Sequence, residues 1–219
     1  MPRLWGLSPR TTRLLLFDLL RLRARVLRGR RRVNPPSERL HLGSGARIVP
    51  GWLNVDIWGS QCDVDLAAGR LPWPDAVFTA VVSQHVIEHL ELQTQLLPLF
   101  RELRRVVRPG GELWLSCPDM EKVCRSYVED RAATLAADRR QRMPGQALPP
   151  SMPSQHFVNW LFQQGGEHQN LFDLELLTWA PGESGFPSCA RVAEAELLAR
   201  FPEMPPRGDD LQSLYVCAR

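Results

Sequence analysis

The chain has 219 residues, 44% apolar and 23% charged, an ordinary composition for one globular domain with a sizeable core. Its net charge of +3 is unevenly placed: residues 1–39 carry 11 arginines against Asp18 and Glu38, net +9, and the remainder has 16 basic and 22 acidic residues, net −6. A mildly acidic body lacks the broad basic face of a nucleic-acid-binding domain, so no nucleic-acid partner is expected. The five cysteines are scattered and lack CxxC spacing, which argues against a disulfide framework or a structural zinc site and for a reducing, cytoplasmic setting. No run of 18 apolar residues is present to span a membrane.

Residues 10–33 read as a basic amphipathic helix, with Leu15, Leu19, Leu22 and Val26 in one row and Arg21, Arg25, Arg28 and Arg32 in another. Such a leader packs on the domain or frays in solution, lies as a peripheral contact on an anionic membrane surface, or serves as an organellar transit peptide. "NPPSE" at 34–38 breaks it and acts as a linker, so a leader over 1–38 is expected to precede one domain over 39–219. From there "RLHLGS", "WLNVDI", "CDVDL" and "FTAVVSQ" predict four strands. A helical stretch from about His85 includes "VIEHL", and residues 93–107 predict a helix with Leu96, Leu99, Phe100 and Leu103 on one face. The turn Pro109-Gly110-Gly111 then precedes a fifth strand, "ELWLSCP". Residues 131–166, rich in Pro, Gln, Met and Gly, predict a lid or irregular insertion; "FDLELLTWA" predicts a short helix and "SLYVCAR" a last strand. Strands joined by crossover segments imply an α/β fold: a Rossmann-like, doubly wound, mostly parallel sheet with helices on both faces.

The informative stretch is "LHLGSGARIVPGWLNVDI", where glycines 43 and 45 end one strand and Asp56 ends the next. A glycine turn lets backbone approach a ligand closely, and a carboxylate at the neighbouring strand end can accept hydrogen bonds from two ribose hydroxyls. The pair describes a nucleoside pocket. A dinucleotide fingerprint is not met, because Ile48 stands where its third glycine would be and Asp56 follows Gly43 by only 13 residues, against about 20. No GK[ST] P-loop occurs either. A nucleoside without phosphates, S-adenosyl-L-methionine, fits best.

The run "LHLGSG…GWLNVDI…DVDL…LPWPD…VVSQHVIEHL…FRELRRVVRPGGELWLSCPD" resembles class I S-adenosylmethionine-dependent methyltransferases, and more narrowly the small bacterial methyltransferases of type 11. The resemblance covers about residues 39–125, with a weaker echo in "HQNLFDLELL" at 168–177. It implies that Gly43, Ser44 and Gly45, with Leu42, run along the methionine and ribose portions of the cofactor. Asp56, with Ile57, would hold the ribose hydroxyls, and Asp65 and Leu66 would meet the adenine, a turn cap being the alternative for Asp65. Ser83, Gln84 and His85 would stand beside the transferred methyl. The chain departs from the pattern at Thr79, where many relatives carry Asp, and at 178–190, "TWAPGESGFPSCA", which is longer and more broken than usual.

Methyl transfer is an in-line displacement from an activated donor, so positioning carries much of the catalysis. A general base helps when the acceptor is a hydroxyl, and His85 is the first candidate. His168 is the second. His85, Glu88 and His89, at i, i+3 and i+4, would share a helix face and suit a divalent metal with His156 or His168. The competing reading, Glu88 pairing an arginine and His89 packing beneath the sheet, is preferred, and no metal is expected. Asp119 reads as a helix cap, Tyr127 and Trp160 as packing, and Cys117 as an inert core thiol. The expected activity is O-methylation of a small molecule or saccharide-type acceptor. A catalytically silent cofactor- or partner-binding relative is the alternative, followed by a nicotinamide-dependent oxidoreductase.

Overall fold

The computed structural model describes residues 6, 8–28, 34–146, 149 and 151–219. Seven strands form one sheet: β1 Arg39–Leu42, β2 Leu53–Asp56, β3 Cys62–Asp63, β4 Phe78–Gln84, β5 Val107–Pro118, β6 Cys189–Val192 and β7 Ser213–Ala218. Their order is β3-β2-β1-β4-β5-β7-β6, with β1 to β5 parallel and β7 antiparallel to both of its neighbours. Alternate residues of each strand feed opposite layers. Val81, Leu113, Leu115, Leu214 and Val216 join one apolar layer, while Val82, Trp114, Tyr215 and Cys217 join the other. The first layer is closed by helix α2, Leu97–Val106, whose Leu99, Phe100, Leu103 and Val106 are fully buried. The second is closed by α7, Glu194–Arg200, through Leu197, with Phe201 and Met204 just beyond it.

The predicted α/β sheet is present, and several local expectations change. No α-helix starts at His85: that residue is left-handed, at φ +57°, and Ile87–His89 form a single 3-10 turn. The predicted helix over 93–107 begins as a π-helical turn, Leu92–Leu96, before α2. Pro109-Gly110-Gly111 does not precede β5 but bulges from it. Phe78 pairs with Val107 and Ala80 with Glu112, so two steps along β4 are matched by five along β5. Gly110 takes φ +77° at that bulge. The third strand shortens to two residues because Asp65 caps a 3-10 turn at Leu66–Ala68. β6 was not anticipated in the broken stretch 178–190.

The stretch 131–166, expected to be a lid or irregular insertion, carries two α-helices among its described residues. α3, Met120–Asp130, is followed by α4, Ala133–Arg142, and α5, Gln155–Gln163. Val123, Leu135, Ala136, Phe157, Val158 and Leu161 form a separate apolar cluster among them. α6, Leu174–Glu183, is the predicted "FDLELLTWA" helix, capped by Asp173. The leader forms α1, Pro9–Arg28; Arg32 and the predicted end of that helix lie outside the described residues. α1 packs through buried Ala24, an Arg23–Asp63 ion pair, and an Arg25 Nε donor 2.7 Å from Asp65 Oδ2. Its apolar row faces outward, with Leu19 63% and Leu22 59% exposed. No helix among the described residues is long and apolar enough to cross a membrane.

Phe100 is wholly enclosed between α2 and the sheet. Phe100→Ala is expected to lower the unfolding free energy by about 3–5 kcal/mol, read from chemical denaturation.

Candidate active site

β1 and β4 run side by side, with Leu42 opposite Ser83, and strand order reverses between them. The crevice outside the carboxyl ends at such a switch point is where an open α/β sheet takes its ligand. Each strand is left through a left-handed residue, Gly43 at φ +70° and His85 at φ +57°. A Cβ on Gly43 would lie 2.2 Å from Val86 Cγ2, so no larger side chain fits. A Cβ on Gly45 would meet nothing within 4 Å, so that part of the turn is open. The Gly43 and Ser44 amides both donate to the Val55 carbonyl, at 2.7 and 3.0 Å, tying the turn to the end of β2. Asp56 reaches back from that end: Oδ2 accepts from the Gly45 amide at 2.8 Å and Oδ1 from the Ile57 amide at 2.6 Å. A carboxylate offers about four acceptor positions, which leaves room for two ribose hydroxyls.

A cavity of about 640 Å³ opens beside this turn, within the usual range for small-molecule sites. Of the residues singled out from sequence, Gly43, Ser44, Gly45, Gln84, His85 and His168 line it; Leu42, Asp56, Ile57, Asp65, Leu66 and Ser83 do not. Leu42 and Leu66 belong to the core, and Ser83 is buried within β4. Ser44 Oγ and both amide atoms of Gln84 are buried without a hydrogen-bond partner among the described residues. Each such atom costs about 1–3 kcal/mol when unpaired, so this wall is built to meet a polar ligand. Asp65 follows the turn-cap alternative: Oδ1 accepts from the Ala67 amide at 3.1 Å, and Oδ2 is shared with Arg25 of α1.

His85 is not a free base. Its Nε2 lies 2.9 Å from Ser213 Oγ and 3.0 Å from Asp209 Oδ2, and its Nδ1 is 3.3 Å from Glu88 Oε1. Burial alone would lower its pKa, but the hydrogen-bonded Asp209 and Glu88 carboxylates outweigh that and raise it. Both nitrogens face carboxylates, so the ring is held in place and engaged rather than left free. Asp209, 1% exposed, also accepts from Tyr215 Oη at 2.7 Å and from Arg207 Nε at 3.0 Å. Burial would raise its pKa, yet His85, Tyr215 and Arg207 together hold it far below the carboxylate range.

The i, i+3, i+4 helix face does not exist, because the backbone turns left-handed at His85. Glu88 bonds His85 rather than an arginine. Burial would raise its pKa, but His85 and His89 outweigh burial and keep it ionised. His89 does not pack beneath the sheet; its ring stands edge-on to His168 at 4.9 Å between centroids. The segment after α5 produces this meeting. The Gln169 and Asn170 amides donate to the Glu88 carbonyl at 2.7 and 3.2 Å, and the Asn170 side chain donates to the Leu90 carbonyl. His168 Nδ1 donates to the Leu161 carbonyl at 2.7 Å, leaving Nε2 as a buried lone pair without a partner. Burial lowers its pKa, so the ring is neutral. Glu88, His89 and His168 each present one donor atom, all within 4.8 Å of one another.

Two contributions were not legible beforehand. Asp209 sits in a loop with no motif around it. Trp160, read as packing, lines the cavity, stacks on Phe157, and carries the Arg139 guanidinium 4.4 Å above its ring. Asp119 is the expected cap, accepting from the Lys122 amide at 3.2 Å, and Cys117 is buried with its thiol pKa pushed well up by burial.

Residues 53–115 match the family model described as a methyltransferase domain. No curated protein matches the chain. Among solved structures, the trans-methyltransferase CalH, in a complex with SAH, is 15% identical with a TM-score of 0.44 over 93% of this chain and 55% of its own. An S-adenosylmethionine-dependent methyltransferase from Mesorhizobium loti is 18% identical, TM-score 0.42, over 85% of this chain and 92% of its own. One from Thermotoga maritima is 16% identical, TM-score 0.46, over 95% and 94%. The chain thus spans little more than half the length of CalH.

Replacing Asp209 removes a buried carboxylate that pairs with both His85 and Arg207. Asp209→Asn is expected to cost about 3–5 kcal/mol in chemical denaturation at neutral pH. The folded pKa is depressed, so this contribution is fully present above the unfolded value of about 3.9 and is lost as pH falls below it. Denaturation midpoints of the two proteins should therefore converge in acid.

Proposed function

We propose that this chain, a class I S-adenosylmethionine-dependent methyltransferase by its matched domain and strand order, methylates an oxygen of a small-molecule or saccharide-type acceptor. The observation that carries the reading is the single cavity joining the Gly43–Gly45 turn to His168 and Trp160. When bound, the cofactor would supply a sulfonium methyl activated for in-line transfer to the acceptor oxygen, whose hydroxyl proton must leave. Gly43 and Gly45 let the backbone approach the methionine portion, and Asp56 offers its remaining lone pairs to the ribose. Gln84, with both amide atoms unpaired, supplies polar contacts at the same wall.

At the acceptor end, the imidazole with a lone pair to meet a hydroxyl is His168, because both nitrogens of His85 are engaged. Trp160 and the Arg139 guanidinium lying over its ring put an apolar edge and a cation side by side at the cavity wall, which supports an acceptor carrying both apolar and polar groups. Calorimetric titration with S-adenosylhomocysteine is the test. Asp56→Ala is expected to weaken binding about tenfold, near 1.4 kcal/mol. Absence of binding to the unmodified chain, with no thermal shift, would sink the reading.

The outward row of α1 supports a second feature, contact with an anionic membrane from the cytoplasmic side. Leu15, Leu19, Leu22 and Val26 are exposed on a helix rich in arginine, which suits an interfacial position. The chain should co-sediment with vesicles containing phosphatidylglycerol and not with neutral phosphatidylcholine vesicles. Leu19→Glu combined with Leu22→Glu should abolish that binding; equal binding to both vesicle types would refute the contact.

A further inference from the structure

We propose that Glu88, His89 and His168 bind a divalent transition-metal ion in the wall of the cavity, with a coordination position left open to the acceptor oxygen. The role of the open position rests on the methyl-transfer reading; the ion site itself does not.

The three donors converge without satisfying one another. Among the described residues, the buried Glu88 Oε2 and His168 Nε2 have no hydrogen-bond partner, and neither do the ring nitrogens of His89. A Glu88 carboxylate oxygen and one ring nitrogen each of His89 and His168 stand within 4.8 Å of one another with no hydrogen bond joining them. A cation between them would turn that convergence into three bonds. Metal–ligand lengths of about 2.0–2.2 Å put tetrahedral ligand atoms roughly 3.4 Å apart. Side-chain shifts of ångström size would close the site, with no rearrangement of backbone.

The outer partners that fix metal ligands are already in place. The Leu161 carbonyl holds the Nδ1 proton of His168, which sets the tautomer that turns a lone pair inward. His85 holds the other oxygen of Glu88 and is itself anchored on Asp209, so the carboxylate cannot swing away. The Gln169 and Asn170 amides pin the strap carrying His168 to the turn carrying Glu88 and His89. Two imidazoles and one carboxylate suit zinc and other first-row divalent ions, and three protein ligands are the number that leaves a position free. An ion there lowers the pKa of an acceptor hydroxyl and fixes its oxygen. His168 then acts on the acceptor through the ion rather than by taking its proton.

The experiment uses the full chain, stripped with a chelator and titrated calorimetrically with zinc chloride, and in parallel with cobalt chloride read by visible absorption. S-adenosylhomocysteine is titrated into the same metal-free protein. The proposal expects a single equivalent of zinc and a cobalt spectrum of nitrogen and oxygen ligands. His89→Gln, at a partly exposed position, and Glu88→Gln should each weaken zinc by at least about tenfold. His89→Gln should keep the wild-type circular dichroism and its affinity for S-adenosylhomocysteine. No stoichiometric zinc, unchanged affinity in His89→Gln, or a thiolate charge-transfer band in the cobalt spectrum would overturn the site. None of these results touches the cofactor reading, which falls only if S-adenosylhomocysteine fails to bind.

Discussion

Two parallel strands, β1 and β4, end side by side, and the chain leaves both through the left-handed region. At Gly43 this is sterically easy, and Val86 forbids any side chain there. At His85 it is costly for a residue with a Cβ, of the order of 1–3 kcal/mol, and is offset by the amide bond to the Ser116 carbonyl and by the ring's carboxylate partners. The rest of the site follows from these two turns. The first brings the Gly45 amide to Asp56, and the second stops a helix from forming and throws Glu88 and His89 toward the cavity.

Behind the cavity wall runs a buried line of alternating charge, Asp209, His85 and Glu88. Each member would be expensive to bury alone, and the depressed carboxylate pKa values and raised imidazole pKa are the electrostatic record of their pairing. Asp209 is supplied by the loop before β7, the antiparallel strand, and Glu88 by the turn after β4. The line therefore clamps the late part of the sheet to the switch point. It also fixes which oxygen of Glu88 is occupied and which faces the histidines.

The helices α3 to α5 and the strap at 168–170 form the far wall with their own small core. Trp160 and Arg139 belong to that wall, so this side of the cavity is built from an element that packs semi-independently of the sheet. The opposite side is built from the sheet itself. On the opposite flank α1 lies across β3, with Arg23 on Asp63 and Arg25 on Asp65, so the basic leader neutralises two acids at the edge of the acidic body.

The parts of this protein that sequence determined are those set by local chemistry. Short, mostly apolar runs specify β1, β2 and β4, because a strand buried on both faces admits little else. The glycines at 43 and 45 and the acid at 56 specify the turn, because no other residues meet its backbone and hydrogen-bond demands. Asp119 and Asp173 specify their caps for the same reason. Tertiary structure decided whatever depended on distant partners. His85 became a ring clamped between carboxylates rather than a free base because Asp209, over a hundred residues on, closes on it. His89 and Trp160 became cavity walls because the 168–170 strap and α5 fold over the switch point. The helical pattern over "HVIEHL" was overruled by one left-handed residue, a conformation that no periodicity in the chain announces.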